Sequence, residues 1–463
     1  VKEWTFERFQ GLLSSLKFRL PSIDMPRLTI GSKHVEMPIV QGGMGVAVSL
    51  SSLSSAVSNQ GGIGVIAANG IGMIERDYFK DGRAANIRAL RSEIRKARAN
   101  TSGPIGVNIM VALEDFHQLL DAAIEEKADI IFMGAGLPIK NLPVTKMREA
   151  DVQAVPIVSS ARAANLIFSM WKRIYNDVPD AVVVEGPKAG GHLGVPEKEL
   201  DDEAYALETV IPQVKDLIST YESDFGKTIP VIAAGGIFTG TDIFEIMKLG
   251  ADAVQMGTRF AATEECDADI RFKQAIVDAS AEDIGIIKSP VGLPGRAIIN
   301  TFLTSTTAEK RNFTCPWQCL AGCRAEESNY CISVALNNAR KGNLNSGFVF
   351  VGTNAYRVAS IQSVASLMKE LAQEYAAAVF AERPKIFSDA ADMIERLKQE
   401  YQSAEKRVRE LKETYATAVM NERIESLKQE IAKANARLGS LQKTMSEKLN
   451  DTYSRALNGL STH

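Results

Sequence analysis

Two sets of residues in this sequence have types and spacings suited to chemistry. The first is His192, within Glu185-Gly186-Pro187-Lys188-Ala189-Gly190-Gly191-His192-Leu193-Gly194. An imidazole titrates near neutrality, so it can give or take a proton there. Glycines at 190, 191 and 194 carry no Cβ, which lets backbone approach a flat or phosphorylated ligand. The other three histidines have no such setting: His34 precedes a strand, His117 lies in a helix-like polar segment and His463 ends the chain. The second set is Cys315, Cys319, Cys323 and Cys331, spaced C-x3-C-x3-C-x7-C. Clustered thiols suit an iron–sulfur cluster or zinc. A spacing of four aligns the first three along one side of a helix, if the segment is helical. The spacing is not the C-x2-C of common zinc or ferredoxin sites, and the alternative is four reduced cysteines packed as small apolar side chains.

The elements that position His192 follow one repeated grammar. Ala181 to Glu185 is a β-branched run that reads as a buried strand and breaks into the glycine-rich loop. Seven further runs behave alike: Met37–Gln41 before Gly42-Gly43-Met44-Gly45, Ile63–Ile66 before Ala67-Ala68-Asn69-Gly70, Ile105–Ile109, Ile130–Phe132 before Met133-Gly134-Ala135-Gly136, Val155–Val158 before Ser159-Ser160, Pro230–Ala234 before Gly235-Gly236, and Ala253–Met256 before Gly257-Thr258. Segments with helical spacing lie between them. Eight short strands, each followed by a helix, predict a (β/α)8 TIM barrel, with an open doubly wound sheet as the alternative. In a barrel the strand ends and their loops share one face, where active sites are built.

Loops after strands seven and eight are where barrels hold phosphate, which assigns an anion to Gly235, Gly236, Gly257 and Thr258. With glycine-lined loops on the other strands, the expected ligand is a flat phosphorylated cofactor such as FMN. Amides of Gly43, Met44, Gly45, Gly134, Ala135 and Gly136 would meet its ring, and Asn108 offers an amide side chain to the polar edge. Asn69, Ser159, Glu185, Lys188, Gly190, Gly191, Gly194, Ala234 and Met256 complete the candidate cofactor-binding set. No Gly-x-Gly-x-x-Gly follows the first strand, so a Rossmann domain is not indicated.

Residues 38–260 resemble the nitronate monooxygenase (2-nitropropane dioxygenase) family, which includes the FMN-dependent enoyl-[acyl-carrier-protein] reductase II. The similar motifs are Pro-Ile-Val-Gln-Gly-Gly-Met-Gly, Gly-Val-Asn-Ile-Met, Glu-Gly-x-x-Ala-Gly-Gly-His-x-Gly, Pro-Val-Ile-Ala-Ala-Gly-Gly-Ile and Gln-Met-Gly-Thr-Arg-Phe. The resemblance implies one FMN on the barrel face with His192 beside it. Two reactions are open: oxidation of an alkyl nitronate with O2 to a carbonyl compound and nitrite, or NAD(P)H-dependent reduction of an enoyl thioester. Many relatives carry an acidic residue where this chain has Lys188, and a cation there favours an anionic group.

The remainder of the chain bounds these expectations. A net charge of -3 over 463 residues gives no field favouring nucleic acid. No apolar run approaches the roughly 20 residues that span a bilayer, so a cytoplasmic protein without membrane contact is expected. The predicted division is a barrel over 1–261, a mainly helical capping insert over 262–346, a return to the barrel at Gly347–Gly352 with a closing helix over 347–383, and a tail over 384–463. Ile394, Leu397, Tyr401, Ala404, Val408, Leu411 and Tyr415 form one heptad seam, and Ile424 to Met445 another. The register changes between Tyr415 and Ile424, where a stutter or a helical hairpin separates the seams; they predict a coiled coil that pairs with another subunit, giving a homo-oligomer, or a hairpin folded on its own barrel. A non-catalytic coiled-coil scaffold is the reading from a different class.

Overall fold

Strands of three to six residues, too apolar to leave either face in water, assemble here by covering each other. The computed structural model describes residues 4–16, 23–308, 313, 315, 317–417 and 423–457. The chain divides into two compact units, one of Met25–Ala372 and one of Val1–Asp24 with Gln373–His463.

In the larger unit the strands are β1 (Ile39–Gln41), β2 (Gly64–Ala67), β3 (Ile105–Met110), β4 (Ile130–Gly134), β5 (Gln153–Val158), β6 (Val182–Glu185), β7 (Val231–Ala234) and β8 (Ala253–Met256). They pair in parallel in the order β1-β8-β7-β6-β5-β4-β3-β2. The ring closes through the bridge Val40↔Ile63, where the Ile63 N–H donates to Ile39 O and the Gln41 N–H to Ile63 O, both at 2.9 Å. The buried Gln41 side chain strengthens this narrow seam by accepting from the Val65 N–H at 2.8 Å. This is the predicted eight-stranded barrel.

The interior is filled by one layered core that includes Val40, Val65, Phe132, Val155, Val183, Ile232 and Ala253. A hairpin of Leu28–Ile30 and Lys33–Val35 adds Leu28, Ile30 and Val35 to it. At the starting ends of the strands one device recurs three times. Asp129, Asp180 and Asp252 each precede a strand and accept the first free N–H of the neighbouring strand pair, from Ile105, Ala154 and Val231 at 2.7, 2.7 and 2.8 Å. Each also meets a cation, in Arg98, Arg148 and Lys215 respectively. The end opposite the loops is therefore built for cohesion.

After β8 the chain forms helices Thr258–Ala261 and Ile270–Val277, then an antiparallel ribbon of Ile284–Lys288 with Pro294–Ile298, then helices Thr301–Ala308 and Ile332–Arg340. Two expectations are corrected here. The described part of the cysteine segment is turns and a 3-10 turn at Ala325–Glu327, not an α-helix, as Pro316 and Gly322 in its sequence disfavour one. Gly347–Gly352 does not re-enter the barrel, which is already closed; it lies along the ribbon through the bridge Ala297↔Phe350 and the Ile298 N–H to Val349 O bond of 2.9 Å.

In the smaller unit, helices Pro384–Thr417 and Arg423–Leu457 run antiparallel, with Arg407 to Glu430 at 3.4 Å and Arg437 to Glu400 at 2.9 Å. Their seam buries Val408, Leu411, Leu427, Leu441 and Met445. The two heptad runs thus cover each other within one chain. The connection between them, where the register was expected to change, lies outside the described residues. Among the described residues no helix is long and apolar enough to cross a membrane.

Gly64 shows how closely helix and strand approach in the barrel: an added Cβ would strike the backbone carbonyl of Ser54 in the helix Ser51–Asn59. Gly64→Ala is therefore expected to destabilise the barrel by about 2 kcal/mol or more, since backbone has to move. Thermal unfolding of the variant against the parent checks this, and an unchanged midpoint would contradict it.

Candidate active site

The C-terminal ends of the eight strands open into a cleft of about 760 Å³, within the size range of small-molecule sites. Gly43, Met44 and Gly45 line it from the β1 loop, Asn69 from β2, Asn108 from β3, Gly134 to Gly136 from β4, Ser159 from β5, and Glu185, Lys188, Gly190, Gly191, His192 and Gly194 from β6. Ala234, Gly235 and Gly236 enter from β7, and Met256, Gly257 and Thr258 from β8. The whole candidate set apart from the cysteines is brought to one cavity, because parallel strands in a closed ring all end on the same side.

At β7 the chain turns through Gly235 and Gly236, at φ +97° and +84°. Residues with a Cβ rarely adopt this left-handed region. A side chain at Gly235 would also meet Gly186 O, so the turn and the β6 loop pack backbone to backbone. The pairing of Ala234 with Gln255 sets this turn next to Gly257 and Thr258. Residues 352–354 tie the two together: Thr258 Oγ1 accepts from the Gly352 N–H at 3.0 Å, and Asn354 Nδ2 donates to Gly236 O at 2.6 Å. Lys188 is exposed beside Gly236 and is a cation within reach of any anion held here. Arg259, from the same loop, is spent elsewhere. Its guanidinium donates to Phe238 O and Glu370 and lies 4.4 Å over the Phe238 ring.

His192 is held from the insert. Gly191–His192 forms a short antiparallel pairing with Gly295 and Arg296 of the ribbon. His192 Nε2 lies 2.7 Å from Ser289 Oγ in the ribbon turn, and its ring meets Phe350 edge-on at 5.1 Å. Burial pushes the imidazole down to about 4, so the ring is neutral at physiological pH. This revises the expectation of an ordinary histidine that titrates near neutrality. Glu185, at the end of β6, moves the other way, since burial raises its carboxyl to about 7.

Four side chains that sequence reasoning did not single out shape this geometry: Ser289, Arg296, Phe350 and Asn354. Buried Arg296 donates through Nη1 to Pro187 O at 2.6 Å and Ala189 O at 2.7 Å, clamping the loop that presents His192. The one signal in the sequence was Arg296 standing in a turn-rich segment, and nothing in its spacing indicates a partner more than a hundred residues away.

The cysteines are not part of this cavity's lining. All four are free thiols, and among the described residues no three or more His, Cys, Asp or Glu side chains are arranged to hold a single metal ion.

Comparison with known proteins agrees with the geometry. The family model described as nitronate monooxygenase matches residues 27–125 and 113–374. A probable nitronate monooxygenase of Staphylococcus aureus is 28% identical over 309 residues, covering 58% of this chain and 77% of that protein. The (3aS,4S,5R,7aS)-5-hydroxy-7a-methyl-1-oxo-octahydro-1H-indene-4-carboxyl-CoA dehydrogenase of Rhodococcus jostii is 28% identical over 278 residues, covering 60% of this chain and 67% of that protein. Among solved structures, FabK from Thermotoga maritima superposes with a TM-score of 0.59 at 28% identity, covering 81% of this chain and 98% of that one. A nitroalkane oxidase from Streptomyces ansochromogenes shares the fold, with a TM-score of 0.58 at 23% identity over 75% of this chain and 98% of that one. With the family model matching most of its length and its barrel shared with solved structures, the chain is an oxidoreductase of the nitronate monooxygenase family.

Proposed function

We propose that the chain binds FMN in the 760 Å³ cleft and oxidises an alkyl nitronate there. The observation that carries this reading is the meeting, in one cleft, of a glycine cradle suited to a phosphate and a neutral, positioned His192. The residues present fit the cofactor. Gly257, where an added Cβ would meet nothing within 4 Å, leaves room for an anion beside the turn at Gly235 and Gly236, and Lys188 next to Gly236 supplies charge. Gly43 to Gly45 and Gly134 to Gly136 line the cleft from the β1 and β4 loops and would meet the ring, to which Asn108 would offer an amide side chain. When bound, FMN supplies the electron-accepting chemistry that no side chain offers.

The protein's own contribution is positioning and proton control. Neutral His192 has one ring nitrogen engaged by Ser289 and can use the other to hydrogen-bond and orient the substrate. Glu185 is protonated below about pH 7, so it leaves the cleft without a fixed negative charge and an anionic nitronate meets no repulsion. Above that pH the carboxylate forms and disfavours the same anion.

A second reading is reduction of an enoyl thioester with NAD(P)H as donor. The likeness to a carboxyl-CoA dehydrogenase supports it, as do the apolar side chains of Phe272, Leu293, Leu336 and Phe350 along the cleft, which suit an acyl chain.

His192→Ala is expected to lower kcat by roughly a hundredfold or more while FMN stays bound. Stopped-flow measurement of anaerobic flavin reduction by a nitronate reads both, and an unchanged rate removes His192 from the mechanism. Because Glu185 ionises as pH rises through about 7, KM for the nitronate is expected to climb across that range and to stay flat in Glu185→Gln. A parent enzyme whose KM does not respond to pH would contradict the assignment.

A further inference from the structure

We propose that Asp267, in the turn between helices Thr258–Ala261 and Ile270–Val277, is a positioning residue that holds the β1 loop in a strained conformation and so sets the wall of the cleft that meets the flavin. The choice of ligand rests on the FMN reading, whereas the strain in the loop and its restraint do not.

The strain lies at two neighbouring residues. Val46 and Ala47 have φ of +56° and +59°, and both are fully buried. An L residue seldom adopts this left-handed region, and for a β-branched one it is an outlier. Such a conformation persists only where its surroundings over-determine it. On one side the barrel itself does so. The Val46 N–H donates to Asn69 O at 2.7 Å, and the Val46 side chain packs with Met73, Tyr78 and Ala85. The Ser49 N–H to Met44 O bond of 3.1 Å and the Met44 N–H to Ser49 Oγ bond of 2.9 Å close the turn.

On the other side the hold comes from the insert, 217 residues along the chain from Leu50. The Asp267 N–H donates to Val48 O at 3.1 Å, and the Cys266 thiol donates to the same oxygen at 3.4 Å. Asp267 Oδ2 accepts from the Leu50 N–H at 2.8 Å and from the Leu53 N–H at 3.4 Å. Those donors open helix Ser51–Asn59, whose N-cap is Leu50, a side chain that cannot accept a hydrogen bond. A carboxylate there satisfies the orphan N–H groups and complements the helix dipole. Glu93 shares the cap by accepting from the Ser51 N–H at 3.0 Å, while Asp267 joins the cap to the strained turn. The segment that carries Asp267 is itself anchored, with the Glu264 N–H donating to Gln362 O at 3.0 Å and the Val364 N–H to Glu265 Oε2 at 2.9 Å.

The location bears on function. Gly43, Met44, Gly45 and Val48 line the cleft, whereas Asp267 does not, so it acts through the loop. Return of Val46 or Ala47 to an ordinary negative φ would turn the peptide groups beside them, and the wall would move with the turn.

The test is amide hydrogen exchange of the ligand-free full chain, read by mass spectrometry, together with FMN binding read from flavin fluorescence. Asp267→Ala is expected to speed exchange over residues 44–53 by roughly tenfold while β4 to β7 keep their protection. FMN binding is expected to weaken by a similar factor, since fewer molecules hold the competent loop. Asp267→Asn, which keeps an acceptor oxygen, is expected to fall between parent and Asp267→Ala. Adding Ala47→Gly, which removes the cost of the positive φ, is expected to restore most of the FMN affinity lost in Asp267→Ala. A residue that only supports folding would show no such rescue. Exchange over 44–53 as slow in Asp267→Ala as in the parent, faster exchange throughout the barrel, or a double variant that binds FMN no more tightly than Asp267→Ala would each overturn the proposal. A parent that binds no FMN would sink the FMN reading, and exchange over 44–53 would then decide for or against the restraint by itself.

Discussion

The candidate site depends on one long-range clamp. Arg296, buried in the insert ribbon, donates two hydrogen bonds to carbonyls of the β6 loop, while its own strand pairs with Gly191 and His192. A barrel alone would leave that glycine-rich loop free to move, because glycines supply no side chains to pack. Charge-assisted bonds to backbone carbonyls are among the stronger ones in proteins, and burial raises the cost of breaking them. Ser289 and Phe350 then fix the ring, so the insert contributes directly to the candidate site.

The electrostatics follow from burial. His192 and Glu185 are half-buried at the β6 end, and desolvation shifts the two in opposite directions, each toward its neutral form. Below about pH 7 His192 and Glu185 are therefore both neutral in the cleft, with Lys188 exposed beside the glycine turn. Such a site suits a reaction in which charge moves between substrate and cofactor, since a permanent ion nearby would favour one side of the transfer.

Much of this was legible in the sequence, for a physical reason. Parallel strands buried on both faces leave unbroken β-branched runs such as Val182 to Val184, and the barrel rule carries every loop after such a run to one mouth. Residues from Gly43 to Thr258 could thus be placed together without any pairwise contact being known. The insert offered no comparable rule. Ser289, Arg296 and Phe350 act across sequence gaps of about a hundred residues or more, within a ribbon that has no repeating pattern. The cysteine spacing resembled a helical period, yet proline and glycine in that segment favour turns. Heptads Ile394 to Tyr415 identified a helical seam, but an a/d pattern is the same whether its partner is another chain or, as found, the next helix of this one.

The central claim is that the cleft holds a flavin which takes electrons directly from an anionic substrate. Anaerobic titration of the purified protein with an alkyl nitronate, followed by visible absorbance, tests it most directly. The account predicts that the flavin band bleaches with nitronate alone. A protein that carries no flavin, or whose flavin bleaches with NAD(P)H and not with nitronate, would contradict it.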